Sequence, residues 1–236
     1  MIPESWRTSP SGVSSTAPAI DWPQWIRDTE RKRRLIAAQT NGVSCCFWST
    51  YYALATDASF RLDGLELPRE HLESALARGA ARKAIRSRQQ QRVRNHVGIL
   101  RHLERLLSTG GPLKGDDVLR WYTSIACGLS TTRPDESATA RLDAIVRQIN
   151  SPHMRLCPAL QAIARLHREM LTDPIVPSFN GILARLLLRY HLGRCGLPPV
   201  VFDAQRDAVI VHNEQRLLPR LLELINTAYA SLLKDD

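Results

Sequence analysis

The stretch Pro158–Phe202, PALQAIARLHREMLTDPIVPSFNGILARLLLRYHLGRCGLPPVVF, reads as helix, tight loop, helix and short strand. Leu160, Ile163, Ala164, Leu166 and Met170 recur at near-helical spacing. Pro174 and Pro177 forbid a continuous helix, because each lacks a backbone donor and has a fixed φ. Ser178, Asn180 and Gly181 are the polar and permissive residues of a helix entrance. Ile182, Leu183, Leu186, Leu187, Leu188 and Tyr190 then make the second helix apolar nearly all round. A helix of that kind belongs at the centre of its domain. Gly193 or Gly196 ends it, and Pro198-Pro199 seals the end.

Leu, Ala and Arg dominate the 236 residues, of which 44% are hydrophobic. The fold class expected is therefore all-α, mainly helical, a bundle around one buried central helix with a short β-hairpin at most. Val200-Val201-Phe202 and Ala208–Val211 are the candidate strands of that hairpin, joined by a polar turn. Residues 1–20, rich in Ser, Pro and Thr, read as a disordered tail without the apolar core of a signal peptide. Residues 21–110 read as an N-terminal helical region and 111–236 as the core. Asp21 and Pro23 open the first helix, which carries the polar run RDTERKRR. Asn41-Gly42 breaks the chain, and Ser44 to Ala55 is an aromatic-rich helix for the core. Pro219 begins the last helix. No run reaches the roughly 20 apolar residues of a membrane span.

Five cysteines (Cys45, Cys46, Cys127, Cys157, Cys195) lack the even count and spacing of a disulfide framework. No Cys/His set has zinc-site spacing, so no metal site is expected. A reduced, cytoplasmic setting follows from the cysteine usage.

The formal charge is +9 and is concentrated. Arg78, Arg82, Lys83, Arg86, Arg88, Arg92, Arg94, Arg101 and Arg105 face only one acid, Glu104, over 78–105. Such a stripe reads first as a solvated basic face; it also suits nucleic-acid phosphates without reading sequence, an acidic protein or anionic lipid. No aromatic residue is interleaved, which argues against base stacking.

The central stretch resembles the Fic (Fido) family, whose signature is His-Pro-Phe-x-Asp/Glu-Gly-Asn-Gly-Arg-x-x-Arg on the loop between two helices. In an ungapped register Asn180, Gly181 and Arg185 match, His167 falls at an upstream family histidine, and the segment from Gly196 to Val201 resembles the family's exit. Upstream, Ser59-Phe60-Arg61-Leu62-Asp63-Gly64 is similar to the Ser/Thr-x-x-x-Glu-Gly/Asn pattern of autoinhibited members, with aspartate for glutamate. The resemblance spans roughly residues 44–235.

The resemblance implies a fold that transfers AMP from ATP, with magnesium, onto a protein hydroxyl. It also implies regulatory residues Ser59, Asp63 and Gly64, an ion pair from Asp63 to Arg185, direct or through a water, and nucleotide or anion binding at Asn180, Gly181 and Arg185. Pro174, however, stands at the position of the catalytic histidine, Val176 at the phenylalanine, Ser178 at the metal-binding acid, Phe179 at the first glycine and Ile182 at the first arginine. A register slipped by one residue puts Asp173 at the histidine position. The chemistry needs a base, a metal-binding oxygen and a phosphate clamp, and Pro174, Ser178 and Ile182 supply none of them well.

The reading is thus a degenerate Fic-fold protein that binds a protein partner or, weakly, a nucleotide, with no certain cofactor. Two alternatives stand beside it. One is an active transferase using Asp173, His167 or His153 as base, which brings in ATP and magnesium. The other is a basic scaffold for nucleic acid.

Overall fold

Why α8, Asn180–Arg194, sits at the centre is plain from its neighbours. Residues from Asn180 to Leu192 are buried with the exception of Gly181. One core lies against Ile182, Leu183, Leu186, Leu187 and Tyr190; the other includes Leu188 and Leu192. A helix apolar on all sides is stable only when other helices cover all of them.

The computed structural model describes residues 20–38, 45–77, 87–127, 136–151, 155–208, 210 and 213–233. Three helices precede the basic segment: α1 Trp22–Ala38, α2 Cys45–Leu62 and α3 Arg69–Leu76. Then come α4 Arg88–Thr109, α5 Gly115–Ile125, α6 Glu136–Asn150 and α7 Leu156–Thr172, ahead of α8. The short α9 Ala204–Asp207 and the long α10 Glu214–Leu232 complete the order. The first core joins α2, α4, α5, α6 and α8 through Phe60, Val97, Leu103, Tyr122 and Leu142. The second joins α7, α8 and α10 through Ile163, Leu217, Leu221 and Ile225, with Trp22 and Trp25 of α1 laid on it. Among the described residues no helix is long and apolar enough to cross a membrane.

Local chemistry sets the helix ends. The Ser87 hydroxyl accepts from Gln90 N at 3.1 Å and caps α4. Gly110, at φ 68°, closes the same helix in the left-handed conformation that glycine adopts without penalty. Ser87→Ala is expected to cost about 1 kcal/mol in urea unfolding, the usual value of an N-cap. The Tyr190 hydroxyl donates to Gly111 O at 2.8 Å, tying the α4–α5 connection to α8.

Some sequence expectations need correction. The expected hairpin does not form among the described residues. Val200–Phe202 is not strand, and the polar turn after it is helix α9. Asp203 caps α9 through Gln205 N (2.9 Å) and Arg206 N (2.8 Å), while buried Asp207 takes Asp203 N and the Arg220 guanidinium from α10. These bonds fix the connecting residues as a helical turn. Residues 209 and 211 of the second candidate strand lie outside the described residues, as do the tail 1–19 and the Asn41-Gly42 break. Helix α10 begins at Glu214 rather than Pro219; Asn213 caps it and the proline lies inside. Helix α2 continues past Ala55 to Leu62, so the aromatic run and the Ser59–Asp63 segment share one rod.

Candidate functional site

The Asn180 side chain ties the loop between α7 and α8 together. Asn180 accepts from Ile175 N at 3.1 Å through Oδ1 and donates to Met170 O through Nδ2. It folds the Pro174–Pro177 segment back onto the end of α7. Phe179, the residue before α8, has φ 56° and ψ 20°. It is the one non-glycine with positive φ among the described residues. That conformation costs a side-chain-bearing residue about 1–2 kcal/mol. The Arg92 guanidinium lies 5.1 Å from the Phe179 ring centre and offsets part of the cost.

Helix α2 delivers its last turn to the start of α8. The Asp63 carboxylate accepts from Ile182 N at 3.3 Å and from Arg185 Nη2. Arg185 also donates to Ser59 Oγ at 3.0 Å and Ser59 O at 2.6 Å. Gly181 makes this approach possible, since a Cβ there would collide with the Asp63 carboxylate. Gly64, at φ 75°, turns the chain away directly after Asp63, and a Cβ added there would meet nothing within 4 Å. The ion pair expected between Asp63 and Arg185 therefore forms by direct contact. Its side chains are only 7% (Arg185) and 15% (Asp63) exposed. The carboxylate sits where the first amides of a helix and a guanidinium converge, which is the chemistry of an anion site. Burial pulls the Arg185 guanidinium below its usual pKa, and Asp63 opposes that shift.

Behind Arg185 lies a polar core that sequence reading missed. His96 of α4 is 1% exposed and shares a 2.9 Å hydrogen bond with Thr56. Burial, and then the Arg185 charge, push its pKa down to about 3. Arg189, one turn beyond Arg185, pairs with Glu104 at 2.6 Å. Burial raises the Glu104 carboxyl above its usual range, against the pull of Arg189. Tyr51, Ser59, His96, Arg185 and Arg189 help line a cavity of about 30 Å³. That is room for a water molecule, far below the roughly 300 Å³ of a small-molecule pocket. A signal for the second pair existed: an arginine on an all-apolar helix must find an acid, and Glu104 is the one acid on α4.

The other candidates lie apart from the Asp63–Arg185 pair. Asp173 ends α7 with its side chain 75% exposed, paired with Arg141 at 2.7 Å. His167 is buried in α7, donates from Nδ1 to Ala184 O at 3.3 Å and stacks on Phe202. His153 lies outside the described residues.

Of the basic stripe, Arg78, Arg82, Lys83 and Arg86 lie outside the described residues. On α4, Arg88 is exposed, but the arginines after it do not form one stripe. Arg92 turns to Phe179 and Cys127 O (3.4 Å). Arg94 donates to Ser74 at 3.2 Å, and Arg101 to Leu76 O at 3.3 Å while lying over Tyr52. Helical spacing spreads these residues around α4, and neighbouring helices supply acceptors on each side.

No protein-family model and no curated protein matches the chain. Solved structures do. A Fic domain-containing signaling protein from Bacteroides thetaiotaomicron superposes with a TM-score of 0.69 at 16% identity, over 89% of this chain and 97% of that one. A fragment of Fic-1 from C. elegans gives 0.66 at 19% identity, over 90% of this chain and 70% of that one. A glutamate-to-glycine variant of that fragment gives 0.67 at 19%, over 90% and 71%. At these identities the likeness establishes the fold, and the chain has the fold of Fic-domain proteins.

Proposed function

From a chain with the Fic-domain fold, we propose a binding or regulatory protein that has lost nucleotidyl transfer. The observation that carries this reading is the Asp63 carboxylate seated among Gly181, Ile182 N and Arg185. It satisfies with an internal anion the donors that a nucleotide phosphate would need. The surrounding residues support the same conclusion. Transfer of AMP to a hydroxyl needs a group that takes the hydroxyl proton, and loss of such a base costs about 10²- to 10⁴-fold. Pro174 has no proton acceptor in its side chain. Ser178 is a poor substitute for the carboxylate that magnesium favours, and Ile182 offers no fork of donors to phosphate.

An active transferase with Asp173 as base is the second reading. It is disfavoured because that carboxylate is solvated and engaged by Arg141. ATP and magnesium enter only on this reading.

Calorimetry with magnesium and ATP or GTP tests the proposal, alongside a radiolabel-transfer assay with α-labelled ATP. The wild-type chain is expected to bind no tighter than about 1 mM. Asp63→Gly empties the cradle, and Asp63→Asn removes the charge while keeping an acceptor for one of the two donors. Gain of affinity in Asp63→Gly, lost again on adding Arg185→Ala, identifies the cleft as a nucleotide site closed by its own carboxylate. Label transferred to protein by any of these forms, and abolished by Asp173→Asn, overturns the loss of catalysis.

A further inference from the structure

Away from the α8 cradle, one face of α4 carries Gln91, Arg94, Asn95, Gly98, His102 and Arg105. Their spacing of three and four residues, or one between paired positions, places them along one side of the helix. With Trp121 and Ser124 of α5 they line an open groove of about 620 Å³. We propose that this groove binds an extended acidic peptide of a partner protein.

The lining is cationic and polar. Among the described residues that line it none is acidic, and Glu104 turns away to Arg189. Arg105 is exposed. Arg94 lines the groove while donating to Ser74 from Nη2, which fixes its position at one end. Between the two arginines α4 rises by about 16 Å. An extended chain covers that length in about five residues, at about 3.3 Å each. The ligand therefore carries acidic side chains about four to six positions apart.

Gly98 lies midway and is exposed. A Cβ there would meet nothing within 4 Å. A bound main chain can lie directly against the helix at this point, with no side chain in between. The floor is rigid: Asn95 Nδ2 donates to Ser124 O at 2.7 Å, tying α4 to α5, and Gln91 donates to Asn95 Oδ1 at 2.6 Å. The amide groups of Gln91 and Asn95 are the kind that pair with peptide backbone. His102 meets Trp121 edge-on, with ring centres 6.2 Å apart. Trp121 is only 5% exposed, so it forms floor and offers no face for a base to stack on. Two arginines suit a peptide with a pair of acids better than a strand with a phosphate at every residue.

The test is fluorescence polarisation on the full chain. The probe is a fluorescein-labelled peptide of four Glu-Ser repeats; the controls are its Lys-Ser counterpart and an eight-nucleotide oligothymidine. Gly98→Tyr is the decisive variant. It fills the groove, leaves the charge unchanged and replaces a glycine inside a helix, so its melting temperature should match or exceed the wild type. Gly98→Gln is the smaller substitute if tyrosine impairs folding.

The acidic peptide is expected to bind the wild type, and Gly98→Tyr and Arg105→Glu are each expected to weaken it by about tenfold or more. Equal binding by wild type and both folded Gly98 variants would mean diffuse charge attraction and overturn the groove. So would failure of the acidic peptide to bind at about 1 mM. Tighter binding of oligothymidine, with the same sensitivity at Gly98, would overturn the peptide assignment in favour of nucleic acid.

Discussion

Arg185→Ala is expected to lower the unfolding free energy by about 3–5 kcal/mol, the usual cost of removing one partner from a buried ion pair. The substitution leaves the Asp63 carboxylate, 15% exposed, with the Ile182 amide as its remaining partner in the contact. It also strips Ser59 of two donated hydrogen bonds. Asp63→Asn should be milder, about 1–3 kcal/mol, because its one amide oxygen still accepts from Arg185 while its amide nitrogen, a donor, is left facing the Ile182 N–H. Replacing both members with apolar residues, Asp63→Leu with Arg185→Met, should recover much of the loss, since the charges then need no partner. Urea unfolding of the single and double variants closes the cycle. A loss under about 1 kcal/mol for Arg185→Ala would show the pair to be solvated and weak. That would also undercut the closed cradle on which the proposed loss of nucleotide binding rests.

The second large effect is acid sensitivity. His96 is pushed down to about 3 by burial and then by Arg185, and His191 to about 4 by burial. The folded chain therefore holds both rings neutral, whereas the unfolded chain protonates them near pH 6.5. Above that pH the histidines do not make stability depend on pH. As pH falls below it, the unfolded state binds protons that the folded state refuses, and stability drops. By about pH 4.5 each ring should have cost about 2–3 kcal/mol, at about 1.4 kcal/mol per pH unit. Melting temperature followed from neutral pH to about 4.5 should fall steeply over a window that lies largely above ordinary carboxylate titration. His191→Leu should remove about half of that slope, because an apolar ring replacement has no proton to gain. An unchanged slope in that variant would mean that His191 is protonated in the folded state as readily as in the unfolded one.

Much of the fold was legible along the chain. The apolar run of Ile182 to Tyr190 left no polar face for solvent, so it had to be central, and it is. The two prolines before it had to break the preceding helix, and α7 ends at Thr172. The ion pair from Asp63 to Arg185, across more than a hundred residues, was what the resemblance of these two segments to the Fic family implied. The Arg189–Glu104 pair was as accessible in principle, but its acid stood in a segment whose net charge suggested a solvated face. The hairpin expectation failed at Asp203–Asp207. Those residues suit a turn locally, yet Arg220, brought in by α10, stabilises the helical alternative through Asp207.

By itself, then, the sequence determined that the chain is helical and that α8 is its core; in the register that the resemblance implies, Pro174, Ser178 and Ile182 stand where the signature has a base, a metal-binding acid and an arginine. Those conclusions depend on residue type and on spacing within a few turns, which the order of residues states outright. The tertiary structure decided which charges meet. It seated Asp63 in the α8 cradle, divided the arginines of α4 between internal acceptors and an open groove, and enclosed His96 and His191. Desolvation and pairing depend on which surfaces neighbouring helices cover, and that is a property of packing across the whole chain.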